Sequence, residues 1–209
     1  MISLKLTDPL SKIEQDINVE LANMFNKIFK SKASSIQVSL KNAIRNWVGS
    51  QPEISSLKQE SSVGSLNSVF GLRLGSADSI VNAIIESVVK STEIKINKID
   101  KNLRGGIEFN FQPADFRNLI SLREGHVITN KNADLHWLNW LLTEGDSVVV
   151  VGYSYIPSSD GRSGGGTMSS GGSFRVPPSF SGTISDNFIT RAFSNREQEL
   201  TKIMSRVLS

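Results

Sequence analysis

The segment Gly161-Arg-Ser163-Gly-Gly165 matches Gly-x-Ser-x-Gly, the turn that presents the nucleophile of many serine hydrolases. That turn needs a buried strand before the serine, a helix after it, and a catalytic histidine further along the chain. Here Pro157 and two serines precede the motif, more glycine follows it, and both histidines lie upstream. A chance match is expected in so Ser/Gly-rich a stretch. We therefore predict no catalytic residue and no enzyme, with a hydrolase acting through Ser163 as an alternative.

The same glycines do not predict a phosphate-binding loop. A Walker loop needs Gly-Lys-Ser/Thr leading into a helix, and no lysine lies between residues 132 and 201. The two close carboxylate pairs are Glu144 with Asp146 and Glu197 with Glu199. The first pair flanks Gly145, and the second is expected on the solvated face of the last helix. Neither pair predicts acid–base or metal chemistry.

Metal and cofactor binding are also not predicted. The chain has no cysteine, which excludes disulfides, thiolate metal sites and cysteine nucleophiles. His126 and His136 are ten residues apart, too far for the helical His-x-x-x-His spacing of a zinc site. We expect partly buried histidines with backbone partners. Trp137 and Trp140, three apart among leucines, predict core packing rather than a platform for bases or sugars.

Composition indicates a protein without export or membrane segments. The 209 residues carry a net charge of +3 and are 38% hydrophobic and 21% charged, which is ordinary for a globular chain. The first half has a mild excess of basic residues, far from the clustered stripe of DNA-binding proteins. Residues 1–9 lack the basic segment and the long apolar segment of a signal peptide, and no apolar run is long enough to span a membrane.

Hydrophobic periodicity predicts an N-terminal helix of unusual length. Asp8 and Pro9 form a start signal, and apolar residues then recur every three or four positions as far as Val48. Such a helix, over 9–48, would be roughly 60 Å long. Further helices are predicted at 77–90, 113–122, 134–143 and 188–208, the last with a kink at Ser194-Asn195.

Alternating residues predict strands at 93–99, 106–111 and 147–156, with a short one at 174–176. Residues 157–182 contain seven glycines and three prolines, which predicts a flexible loop without a ladder through most of its length. The fold class is therefore α+β: a small, mostly antiparallel sheet packed by helices. We expect a helical segment at 1–48 and an α+β domain at 49–209.

The C-terminal third, about residues 120–209, resembles tailed-bacteriophage virion proteins of the neck or tail-completion (head–tail connector) type. The N-terminal part resembles the wider family more loosely, through its long first helix followed by a Ser/Gly stretch, a helix and strands. The long Gly-rich loop departs from shorter members. The motifs that carry the resemblance are Trp137-Leu-Asn-Trp-Leu-Leu-Thr-Glu-Gly145-Asp, Tyr153-x-Tyr155, Gly161-Arg-Ser-Gly164, Phe174-Arg-Val-Pro-Pro178, Ser181-Gly-Thr183 and Asp186-Asn-Phe-Ile-Thr-Arg-Ala192.

The resemblance implies a structural subunit that joins the capsid connector to the tail. It would be made in the host cytoplasm and end in the virion, without a membrane. Its partners would be its own copies, in a ring of about six or twelve, and neighbouring neck, connector and tail proteins. In a closed ring the copies meet through head-to-tail contacts. Non-specific proximity to DNA in the channel stays open. The alternatives are a tail terminator, a baseplate protein, another minor virion protein, or a DNA-packaging factor.

Subunit contacts are expected mainly in and after the Gly-rich loop. This loop and the long helix are the segments best suited to reach a neighbouring subunit. The predicted interface residues are Arg162, Met168, Phe174, Arg175, Val176, Pro177, Pro178, Phe180, Phe188 and Arg191.

Overall fold

The computed structural model describes residues 8–129 and 132–208. The longest element is the predicted N-terminal helix, α1, which begins at Leu10 and ends at Gly49. None of the helices in these two ranges is both long and apolar enough to cross a membrane. The other helices are α2 (Pro52–Lys58), α3 (Leu66–Val69), α4 (Ala77–Ser91), α5 (Arg117–Ile120), α6 (Trp137–Thr143), α7 (Phe188–Phe193) and α8 (Glu197–Leu208).

The strands form three separate antiparallel pairs, so the α+β class is confirmed, while the expected single sheet is replaced by three hairpins. Each strand pairs with its neighbour in sequence. Local pairing of this kind follows from the short connections between the strands. The pairs are β1 (Glu93–Asn97) with β2 (Gly106–Asn110), β3 (Val127–Ile128) with β4 (Asp134–Leu135), and β5 (Val150–Pro157) with β6 (Gly166–Phe174).

The chain divides into two units that do not follow the predicted boundary at residues 48 and 49. The first unit comprises the described residues within Met1–Leu40, Glu93–Asn110 and Glu197–Ser209. The second comprises Lys41–Thr92 and the described residues within Phe111–Arg196. Helix α1 therefore supplies its first three quarters to one unit and its last turns to the other.

In the first unit, α1 holds the loop that follows β1. The side-chain amide of Asn26 donates to the carbonyl oxygen of Ile99 at 2.9 Å, and its oxygen accepts from the Ile99 backbone N–H at 2.8 Å. This pair of hydrogen bonds satisfies both backbone groups of a buried residue. It fixes the β1–β2 hairpin to the helix.

The second unit has a larger core. Ile84 and Val88 of α4 are fully buried, as the predicted apolar face requires. Elsewhere in the unit the rings of Trp47, Phe111 and Phe193 pack together, with Phe111 and Phe193 stacked at 4.7 Å between centroids. These aromatic contacts join the last turns of α1 to α7.

The middle of the Gly-rich stretch is a strand, which corrects the expectation that residues 157–182 lack a ladder through most of their length. Strand β6 pairs with β5 from Gly166 to Phe174, with one bulge at Val151–Tyr153. A Cβ on Gly166 would lie 2.3 Å from the ring of Tyr155, so glycine is what allows the two strands to approach there. Serine and glycine carry no hydrophobic alternation, and the sequence pattern therefore did not show the strand.

Candidate functional site

Three of the predicted interface residues belong to the core of their own unit. Phe174, Val176 and Phe188 are at most 3% exposed. Phe174 packs against Phe70 and Trp140. A side chain buried in this way offers no surface to a neighbour. The exposed or half-buried predicted residues are Arg162, Met168, Arg175, Pro177, Pro178, Phe180 and Arg191.

The three arginines of that set are each held within the chain. Arg162 donates from Nε to the carbonyl of Gly71 and from a terminal nitrogen to that of Ile128 at 3.1 Å. Partial burial, together with repulsion from Arg73, lowers the pKa of Arg162 from its ordinary value. These contacts attach the 158–165 loop to its own unit.

Arg175 and Arg191 meet carboxylates. Arg175 donates to the backbone carbonyl of Asp146 at 3.0 Å and lies 3.5 Å from the carboxylate of the same residue. Arg191 contacts Asp186 at 2.8 Å and pairs with the buried carboxylate of Glu53. Both arginines therefore make contacts within their own unit.

Ser163 does not have the setting of a nucleophile. Its side chain is fully buried, and its hydroxyl donates to the carbonyl of Ser68 at 3.5 Å. A nucleophile elbow presents its serine exposed between a strand and a helix. The neighbouring Gly165 explains the burial, because a Cβ there would lie 1.9 Å from the Ser68 hydroxyl. The Gly-x-Ser-x-Gly segment thus packs closely against α3.

Two apolar surfaces are exposed, one in each unit. The "helix stripe" is Leu10, Ile17, Met24 and Val38 of α1, which are 70%, 53%, 51% and 60% exposed. The "arm surface" is Val151 and Tyr153 of β5 with Met168 of β6, all exposed, and the pairing of Met168 with Tyr155 places them on one face of the hairpin. Scattered exposed apolar residues are ordinary, but aligned ones indicate a contact site.

The strand pair β3–β4 brings together the two histidines. The imidazole rings of His126 and His136 lie 4.0 Å apart between centroids. Both face Asp134: His126 Nδ1 is 3.2 Å from each carboxylate oxygen, and His136 Nε2 is 3.7 Å from one of them. His126 Nε2 also lies 3.3 Å from the carbonyl oxygen of Ile120.

The expected backbone partner of a histidine is thus found for His126, while the clustering of both histidines was missed. A separation of ten residues excludes helical His-x-x-x-His spacing, but a hairpin brings residues ten apart together equally well. The alternation of Leu135 with its polar neighbours Asp134 and His136 was the signal that could have shown it. Trp137, directly after His136, is buried, which confirms core packing for that residue.

No family model, curated protein or solved structure matches the chain. The functional argument therefore depends on the motifs of the sequence and on the surfaces and side-chain clusters described above.

Proposed function

We propose that the chain is a structural subunit of the head–tail junction of a tailed bacteriophage, in a neck or tail-completion ring. The order of motifs between Trp137 and Ala192 supports the family. The observation that carries the proposal is the helix stripe, since a subunit whose role is assembly must expose the apolar surface that its neighbours cover.

The spacing of the stripe favours another helix as the neighbour. Its residues stand at positions 10, 17, 24 and 38, all separated by multiples of seven, with Ser31 in the gap. A strict seven-residue repeat drifts slowly around a straight helix, and it stays in register only against a partner helix that supercoils with it. Burying one Leu, Ile, Met or Val side chain against such a helix contributes about 1.5–3 kcal/mol to the free energy of association.

Hairpin β5–β6 supplies a second contact, through the side chains of the arm surface and through its strand edges. Hairpin β5–β6 has only two strands, so each strand keeps one edge outside the ladder. Such edges accept further strands or neighbouring side chains. In a closed ring each subunit uses two different surfaces, one toward each neighbour. The helix stripe and the arm surface provide two such surfaces.

The test is quantitative mass spectrometry of purified virus particles that contain this protein. The proposal expects about six or twelve copies per particle, as in a closed ring. Hundreds of copies would indicate a tube, sheath or capsid element and contradict the neck position. Absence from the particles would contradict a virion role altogether.

A further inference from the structure

We propose that His126, Asp134 and His136 form a binding site for one divalent transition-metal ion of the zinc type. The proposal does not rest on the proposed function, since it concerns three side chains within one unit. It depends on strand register, on the distances between ligand atoms, and on the hydrogen bond that orients His126.

The register of β3 and β4 places the three side chains on one face. Val127 pairs with Leu135 and Ile128 with Asp134, so the same antiparallel register sets His126 opposite His136. Asp134 precedes His136 by two residues and shares its face of the strand. Val127 is buried on the other face. The backbone of a short hairpin therefore fixes the cluster.

The separations between ligand atoms suit a tetrahedral ion. With metal–ligand distances of about 2.0–2.1 Å, the ligand atoms of such a site lie about 3.3 Å apart. The distances from Asp134 Oδ2 are 3.2 Å to His126 Nδ1 and 3.7 Å to His136 Nε2, and the three ligand atoms lie within 4.8 Å of one another. The tetrahedral value requires His136 to move closer, and its side chain is half exposed, which leaves room for its ring to rotate.

The Ile120 carbonyl selects the form of His126 that binds metal. A carbonyl oxygen only accepts, so Nε2 carries the proton in their 3.3 Å hydrogen bond. In the neutral ring Nδ1 is then an acceptor, and it faces two carboxylate oxygens at 3.2 Å. Acceptors opposed at this distance need either a proton or a metal ion between them, and a metal ion would use both as ligands. A backbone carbonyl that orients the far nitrogen is a common feature of metal-binding histidines.

The ligand types select the metal. Two imidazoles and one carboxylate suit Zn²⁺, Co²⁺ or Ni²⁺, whereas Ca²⁺ and Mg²⁺ prefer an all-oxygen shell. The side chains of His126, Asp134 and His136 are 24%, 45% and 50% exposed. Solvent therefore reaches the site, and water fills the positions that the protein leaves open.

The experiment titrates the full-length chain, free of any polyhistidine tag, with Zn²⁺ against a chromophoric chelator. We expect one equivalent of Zn²⁺ per chain, and no displacement by excess Mg²⁺ or Ca²⁺. Proton NMR of the imidazoles supplies a second readout. The chain has only two histidines, so both sets of ring resonances should shift during the same equivalent.

Two variants and a control decide the result. His136→Ala and Asp134→Asn should each weaken Zn²⁺ binding about tenfold or more. Asp115→Asn, which removes an exposed carboxylate elsewhere in the same unit, should leave binding unchanged. Equal binding by all four proteins, or no binding by the parent chain, would overturn the proposal. So would an imidazolium at His126, with Nδ1 protonated in the presence of Zn²⁺, since the cluster would then be an ion pair.

Discussion

At the scale of single residues, Arg191 was predicted to lie at a subunit interface, but in the structure it pairs with a buried carboxylate of its own chain. It pairs with Glu53, whose side chain is 2% exposed and whose second carboxylate oxygen is buried without a hydrogen-bond partner. We expect Arg191→Ala to lower the free energy of unfolding by about 2 kcal/mol, because it leaves a buried charge without its partner. The loss is below that of a fully buried pair, since the Arg191 side chain is 39% exposed. Chemical denaturation measures it.

The control for this prediction is Arg175→Ala. Arg175 and Asp146 form an ion pair in which both side chains are more than half exposed. Such pairs contribute little, so we expect a change within about 0.5 kcal/mol. Adding Glu53→Gln to Arg191→Ala should recover part of the loss. Equal losses in the two arginine variants would show that burial of Glu53 is not the cause.

The hydrogen bonds of the Glu60 carboxylate make the stability of the protein depend on pH. Its carboxylate accepts the backbone N–H groups of Gly75 and Ala77, both at 2.9 Å, and so caps the start of α4. These hydrogen bonds lower the pKa of Glu60 from its ordinary value. Because the pKa of Glu60 is lower in the folded state, its carboxylate stabilises the fold fully above the pKa of the unfolded state, about 4.3. This stabilisation is lost as the pH falls through the pKa of the folded state.

We therefore expect Glu60→Gln to lower the Tm at neutral pH. The difference in Tm between the variant and the parent protein should decrease as the pH falls below about 4.3. Asp78→Asn, which removes a carboxylate from the first turn of α4 but leaves both Glu60 hydrogen bonds in place, is the comparison variant. Thermal melts across a pH series supply the measurement. A difference in Tm that does not depend on pH would contradict the capping explanation.

At the scale of elements, the periodic helices were predictable and the contacts between distant segments were not. Helix α1 was expected over 9–48 and runs from Leu10 to Gly49, because one face of it is apolar at every turn. The predicted kink near Asn195, where φ is 58°, divides the last helix into α7 and α8. Strand β6 and the β3–β4 pair escaped prediction, since β6 is Ser/Gly-rich without apolar alternation and β3 and β4 have only two residues each. The histidine cluster was missed for the same reason.

Two glycines with similar backbone angles test the packing of hairpin β5–β6. Gly152 has a φ of 81° and open space around its missing Cβ, whereas Gly161 has a φ of 85° and its Cβ would lie 2.1 Å from the carbonyl oxygen of Gly166. We expect Gly152→Ala to cost about 1 kcal/mol, the left-handed backbone penalty alone. Gly161→Ala should cost about 3 kcal/mol, because backbone must also move.

Denaturation of both alanine variants beside the parent protein measures the difference. Since the backbone penalty is common to the two positions, their difference reports the close approach at Gly161 alone. Equal losses would mean that the 158–165 loop moves away at little cost, and that its contact with strand β6 is weak.

At the scale of the whole molecule, the proposed function depends on whether the helix stripe is covered by another copy of the chain. We expect the parent protein to associate in a concentration-dependent way. Ile17→Gln with Met24→Gln should weaken that association at least about tenfold, because each apolar side chain withdrawn from a contact removes about 1.5 kcal/mol. Sedimentation velocity over a range of concentrations measures the change.

The matched control is Val19→Gln. Val19 is also an exposed apolar residue of α1, but it stands two positions from Ile17 and so about 200° around the helix from it. If a neighbouring helix packs along the stripe, Val19→Gln leaves association unchanged. If all three substitutions act alike, the effect comes from general hydrophobicity rather than from the seven-residue repeat. A parent protein that stays monomeric at every concentration would remove the stripe as a contact between copies, and the proposed ring would then depend on the arm surface alone.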